Sequence, residues 1–248
     1  MKLVPFRPYT VEAIPYGERW FPFLFKTASG RLLMYIAYGF DSHWSPCYRV
    51  ESMDNGLTWF NPCTNVPRAS WCHSFADGEL FEIDTYGIQD PFKPEESVFF
   101  GAWSHPDKPG NEARRDFVRV RSSSLRATKL TDLRGYPTHH WWSLWNTLHK
   151  TDFLRGDEVH VQGPYFTSGI ETTGGRLLAS AYWDRQDPSL KKNFAFIFES
   201  RDRGRSWDEV GVINDPDPKT PCANEVTLVR LKAGQLYAVA RTVEGPGG

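Results

Sequence analysis

The 248-residue chain has no apolar run approaching the ~20 residues that a membrane-spanning helix needs. It also has no run of basic residues, and its formal charge is −1. Neither a nucleic acid nor an anionic membrane surface is therefore expected as a partner. The opening stretch MKLVPFRPYTVEAIPYGERW sets Pro5, Pro8, Glu12 and Glu18 where a secretion signal needs an apolar centre, so the expected location is cytoplasmic. Cysteine is scarce. Cys47, Cys63, Cys72 and Cys222 form no CxxC pair and show no metal-type spacing to histidine. Reduced thiols, no metal and no cofactor are the expectation.

Aromatics and turn formers are abundant, with 10 Trp, 10 Tyr, 17 Phe, 20 Gly and 18 Pro. Many short strands joined by tight turns produce this mixture, and the length suits one large all-β domain as well as two small ones.

A short pattern recurs along the chain: an apolar strand, a small turn ending in glycine, then x-Leu and a second apolar strand. Its copies are FPFLFKTASGRLLMYIAY (21–38), SFADGELFEID (74–84), GIETTGGRLLASAYW (169–183) and VTLVRLKAGQLYAVARTV (226–243). The turn glycines are Gly30, Gly78, Gly175 and Gly234. A three-residue hairpin loop needs a left-handed residue at its last position, which glycine supplies. Each copy is therefore predicted to be a β-hairpin.

A second pattern, Ser-x-Asp-x-Gly-x-(Thr/Ser)-Trp, occurs as SMDNGLTW at 52–59 and SRDRGRSW at 200–207. Each copy follows a hairpin and a strand-like segment, CYRVESM (47–53) or NFAFIFES (193–200). The Asp in such a turn accepts bonds from backbone N–H groups further along, the Ser and Thr hydroxyls tie the turn to its strands, and the Gly supplies backbone freedom. The Trp is expected to fold back between neighbouring sheets. Ser52, Asp54, Gly56, Thr58 and Trp59, and equally Ser200, Asp202, Gly204, Ser206 and Trp207, are thus assigned a structural role. Hairpin, third strand, box turn and fourth strand make a four-stranded antiparallel unit of propeller-blade type.

The turn glycines are spaced 48, 97 and 59 residues apart. The long middle interval holds either a degenerate blade or an insertion; an insertion is favoured and placed at 134–160 within a single domain spanning 1–248. HPDKPGNEARR (105–115) has the character of a polar loop, and HHWWSLWNTLHK (139–150) has apolar residues at roughly helical spacing, its tryptophans either packing a short helix onto the sheets or forming a sugar-stacking platform.

The two boxes resemble the Asp boxes of sialidases (neuraminidases) and other BNR-repeat proteins. That resemblance implies an all-β, six-bladed propeller of sialidase type, of which about four blades lie in this chain, as the N-terminal portion of a longer domain. CANEVTLVRLKAGQLYAVARTVEGPGG (222–248) resembles the sialidase segment in which a Glu precedes a strand and an Arg ends the return strand. Those positions are Glu225 and Arg241. If Lys232, Ala233 and Gly234 form the loop, Leu231 pairs with Gln235, and counting outward sets Glu225 opposite Arg241 on one sheet face. Taken by itself, such a pair is equally a surface ion pair.

In sialidases an arginine triad grips the substrate carboxylate, a Glu polarises a nucleophilic Tyr, and an Asp is the acid/base. By resemblance Glu225 is the activating base and Arg241 a triad arginine. The N-terminal motif departs from the family: Trp20 stands where an Arg is expected. Arg19, one residue away, becomes the candidate if the strand is bulged, with Arg68 as the second possibility. Asp41, in YGFDSHWSPCY with His43 nearby, is the acid/base candidate and is equally suited to capping a turn. The implied activity is exo-α-sialidase-type removal of a terminal sialic or related acidic sugar from a glycan, with the third Arg and the Tyr outside the chain and the fragment alone inactive. The alternative is a non-catalytic BNR propeller binding glycans or a protein partner, favoured by Trp20. A third reading is a propeller hydrolase or lyase acting on another glycan.

Overall fold

The computed structural model describes residues 18–39, 47–66, 69–84, 87–90, 92–108, 110, 113–129, 160–184, 193–213, 222–231 and 234–243. Every regular element among them is a strand. The helix expected at 139–150 and nearly all of the insertion at 134–160 lie outside the described residues.

The first unit is an antiparallel sheet of β1 (Glu18–Lys26), β2 (Leu32–Gly39), β3 (Cys47–Ser52) and β4 (Phe60–Val66), in that order. The second contains β5 (Ala69–Ser74), β6 (Leu80–Asp84), β8 (Lys93–Ser104) and β9 (Arg114–Arg121), paired successively. A side extension joins β7 (Gly87–Asp90) to the start of β8 and carries β10 (Ala127–Lys129) and β11 (His160–Gln162). The third is β12 (Tyr165–Glu171), β13 (Leu177–Asp184), β14 (Asn193–Ser200) and β15 (Ser206–Val212). A hairpin of β16 (Cys222–Arg230) and β17 (Leu236–Val243) follows. Three four-stranded blades and the first hairpin of another thus form a β-propeller arc, as the repeat implied.

All four first hairpins close through the predicted loop. In each, the glycine has positive φ and its N–H bonds back three residues, as in Gly30 to Thr27 at 2.9 Å and Gly234 to Leu231 at 3.0 Å. Leu231 N–H bonds to Gln235 C=O at 2.8 Å, the pairing expected of the last hairpin. Third strands keep one register against these turns. Leu32 faces Ser52, Leu80 faces Ser104, and Leu177 faces Ser200. The second blade therefore uses Ser104 where the others place the box serine, although SHPDKPG carries no box.

A second regularity was not anticipated. The first strand of every hairpin carries one extra residue at the same distance before its turn glycine: 22 before 30, 70 before 78, 167 before 175 and 226 before 234. Such bulges bend a strand and re-aim its side chains. The bulge between Trp20 and Phe23 is the first of these, and it is shared with the other three hairpins.

The two boxes make the same bonds. Ser52 Oγ and Ser200 Oγ accept from Gly56 N–H at 2.8 Å and Gly204 N–H at 2.9 Å. Asp54 accepts from Thr58 N–H at 2.8 Å and Thr58 Oγ1 at 2.5 Å; Asp202 does so from Ser206 at 2.9 and 2.6 Å. The indole N–H of Trp59 bonds Gly56 C=O at 3.1 Å, and that of Trp207 bonds Gly204 C=O at 3.0 Å. The Thr58 and Ser52 bonds hold the Asp54 carboxyl at about 2. At Asp202 burial opposes ionisation, but the Ser206 and Ser200 bonds prevail and lower its pKa.

The core lies between blades. Trp207 is fully buried against Trp71, Phe81 and Phe166 between the second and third blades, as expected for a box tryptophan. Trp59 does not reach such a seam. It is partly buried against Met34, Ile36 and Val50 of its own sheet, because no further sheet covers it among the described residues.

Candidate functional site

The hairpin β16–β17 packs on the third blade through Val226 and Leu228 against Ala195 and Ile170. The carbonyl of Val226 accepts from Ser180 Oγ at 2.6 Å and Thr167 Oγ1 at 2.7 Å, and Leu228 N–H bonds to Ser168 Oγ at 3.0 Å. These bonds pin the bulge of β16 from outside the hairpin.

The bulge corrects the predicted register. Asn224, not Glu225, sits opposite Arg241, and Glu225 with Val226 opposes Ala240. The ion pair forms nonetheless. Glu225 takes φ +47°, and Arg241 Nη1 donates to its two carboxylate oxygens at 3.0 and 2.9 Å. The other guanidinium N–H groups of Arg241 have no partner among the described residues, and its side chain is 60% exposed. Asn224 is buried, and its Oδ1 has no hydrogen-bond partner among the described residues.

Three described non-glycine residues have positive φ: Asn55, Arg203 and Glu225. The first two precede the box glycines, where the turn demands that conformation. Glu225 is in a strand. A left-handed non-glycine residue costs roughly 1–2 kcal/mol, whereas an exposed ion pair returns at most about 1 kcal/mol. Stability of the pair alone does not account for this geometry. The bulge holds a carboxylate and a half-free guanidinium side by side, a pairing able to orient an anionic, hydroxyl-rich ligand.

Of the other expected site residues, only Arg19 falls among the described residues. Arg19 lies in β1 opposite Tyr38, and only its strand position is described. Arg68, Asp41 and His43 lie outside the described residues. Cys72 is a buried thiol. Among the described residues no cluster of three or more His, Cys, Asp or Glu is placed to hold a metal ion.

A second constellation, between the first and second blades, was missed from sequence. The Tyr35 hydroxyl donates a hydrogen bond to Glu82, and Arg49 Nη1 donates to the Tyr35 oxygen at 3.4 Å. Arg49 Nη2 lies 3.2 Å from Glu51, which also takes Arg31 Nη1 at 3.0 Å; Arg31 Nη2 lies 3.4 Å from Asp107. Burial first, and the Glu82 carboxylate second, push the Tyr35 hydroxyl well above the usual tyrosine range. Burial also raises the Glu82 carboxyl, against the Tyr35 bond and the nearby Arg49 and Arg115. A Tyr–Glu–Arg grouping has the composition of a nucleophilic dyad, but Tyr35 is 1% exposed and held protonated, which suits a structural junction. Its partners lie 47 residues apart on different blades, so no local motif announced them.

No family model and no curated protein matches the chain. Solved structures do. One is a protein of unknown function from Dyadobacter fermentans DSM 18053, 12% identical, with 94% of this chain and 60% of that one covered at a TM-score of 0.52. Another is xylan β-1,4-xylosidase from Bacillus halodurans C-125, 10% identical, with 93% and 39% covered and a TM-score of 0.52. A Hadza microbial sialidase, Hz136, is 13% identical, with 92% and 45% covered and a TM-score of 0.45. At these identities the likeness shows the fold alone. The chain spans 60% or less of each of these proteins.

Proposed function

We propose that this chain forms part of a propeller glycoside hydrolase acting on an acidic sugar, of exo-α-sialidase type. The observation that carries the reading is the strained Glu225 held against a half-exposed Arg241. The box pattern and the 222–248 segment, both of sialidase type, support it. In this reading Arg241 binds the sugar carboxylate with its remaining N–H groups, Glu225 polarises a tyrosine nucleophile, Asp41 is the acid/base, and Arg19 or Arg68 supplies a second guanidinium. A carboxylate held by a planar fork has its charge and its orientation fixed together.

Removing one charge-assisted contact of this kind weakens binding by about 1.5–3 kcal/mol. Assayed in the full-length protein that carries the remaining blades, Arg241→Ala should therefore lower kcat/KM on a fluorogenic sialoside by one to two orders of magnitude while leaving the melting temperature nearly unchanged. Unaltered turnover would refute the assignment. The second reading, a non-catalytic glycan-binding propeller, is favoured by Trp20. That residue occupies in the first hairpin the place Asn224 holds in β16–β17. It predicts sialoside binding that Arg241→Ala weakens, with no turnover to lose.

A further inference from the structure

The first and second blades meet across a small apolar patch of Leu33, Tyr35, Cys72 and Leu80, edged by Phe23 and Phe25. The polar contacts crossing this seam are few among the described residues. Deep in it, Tyr35 bonds Glu82; at its rim, Asp107 takes Ser29 N–H at 3.3 Å and Arg31 at 3.4 Å. Polar atoms left over concentrate there. Among the described residues Arg31 Nε and Arg49 Nε are buried without a hydrogen-bond partner, and Asp107 Oδ1 has only its ion pair with Arg31.

Glu82 is partly buried as a residue, yet its carboxyl meets the hydroxyl of the almost fully buried Tyr35. No cation stands within ion-pairing distance of Glu82 among the described residues. Arg49, on β3, is spent on Tyr35 and Glu51. Arg115, on β9, shares the row Glu82–Ala102–Arg115 but is exposed and makes no ion pair with it. From β5 the Cys72 thiol adds to the cost of charge beside Tyr35. A carboxyl so placed is cheaper to keep protonated than to ionise.

We propose that the Tyr35–Glu82–Arg49 junction is a protonation-controlled latch: with Glu82 neutral the first two blades stay closed, and ionisation of Glu82 opens the seam between them. A group whose folded pKa is raised stabilises the closed form fully below its unfolded value. That contribution is lost as pH climbs from there to the folded value. The latch therefore loosens on the alkaline side, and the opening constant rises about tenfold per pH unit within that window, the linkage of one proton.

Hydrogen exchange of the whole chain, corrected for intrinsic rates, between about pH 5 and about pH 9 reads this directly. Amides of Leu32–Gly39 should lose protection with rising pH, while those of Leu177–Asp184 should not. Glu82→Gln, an isosteric neutral side chain, should abolish the slope. An equal slope in Glu82→Gln, or none in the wild type, would overturn the latch. Should Glu82→Gln fail to fold, the infrared carbonyl stretch of a protonated carboxyl decides on the wild type. Its presence while the seam is closed and its loss on opening support the latch, and its absence from the closed form across the titration refutes it.

Discussion

Two seams join three blades, and they are held by opposite means. Between the second and third blades lies a continuous aromatic core, with Trp207 and Trp71 in contact with each other and each with Phe81 and Phe166, and with Trp103 beside Phe81 at 5.0 Å. Outside it, β9 and β15 pair in parallel, and Arg203 lies 3.9 Å above the Phe75 ring while bonding Asp77 and Glu79. Between the first and second blades the apolar patch is small and the deep contact is a hydrogen bond to a carboxyl. Burial of rings is non-directional and insensitive to pH, whereas a polar junction depends on every partner keeping its proton. One chain thus holds a seam built to persist beside a seam that a single proton can alter.

The boxes allow that contrast to be broken. Trp207→Ala should cost about 3–5 kcal/mol in urea unfolding, the range for a buried aromatic. Trp59→Ala, at the same box position without a covering sheet, should cost well under half as much. Equal losses would mean that box tryptophans act locally and that the aromatic seam adds nothing. Gly204→Ala comes next. Gly56 and Gly204 share φ near +90°, so both variants carry the same backbone strain. At Gly204 the new Cβ would meet the Phe81 ring at 2.6 Å, whereas at Gly56 nothing lies closer than 3.6 Å. Overpacking should make Gly204→Ala worse than Gly56→Ala by about 1–3 kcal/mol. The smallest effect belongs to Arg203→Ala, roughly 1 kcal/mol from a partly exposed ion pair and its ring contact, shrinking as salt is added. A larger, salt-independent loss would show that the rim, and not the rings, holds this seam.

What could be read from sequence follows the range of the interactions. Hairpin loops, box turns and third strands such as NFAFIFES are local, and their glycines, serines and alternating apolar residues marked them directly. The pairing of Glu225 with Arg241 was legible because both belong to one hairpin. The bulge that sets their geometry was not, since Ser180 and Thr167 of another blade hold it and a left-handed glutamate has no sequence signature. Tyr35 and Glu82 were hidden for the same reason: each is unremarkable in its own strand, and only blade packing joins them. The unboxed turn after Ser104 concealed the second blade's phase, which its register against Leu80 reveals.

The extra residue placed eight positions before each turn glycine acts as a ruler that restarts in every hairpin. Alignment is set afresh inside each unit, so a change of length between units does not accumulate as an error along the chain. The linking segments are thereby free to vary in length and content, as the 97-residue interval between Gly78 and Gly175 already does.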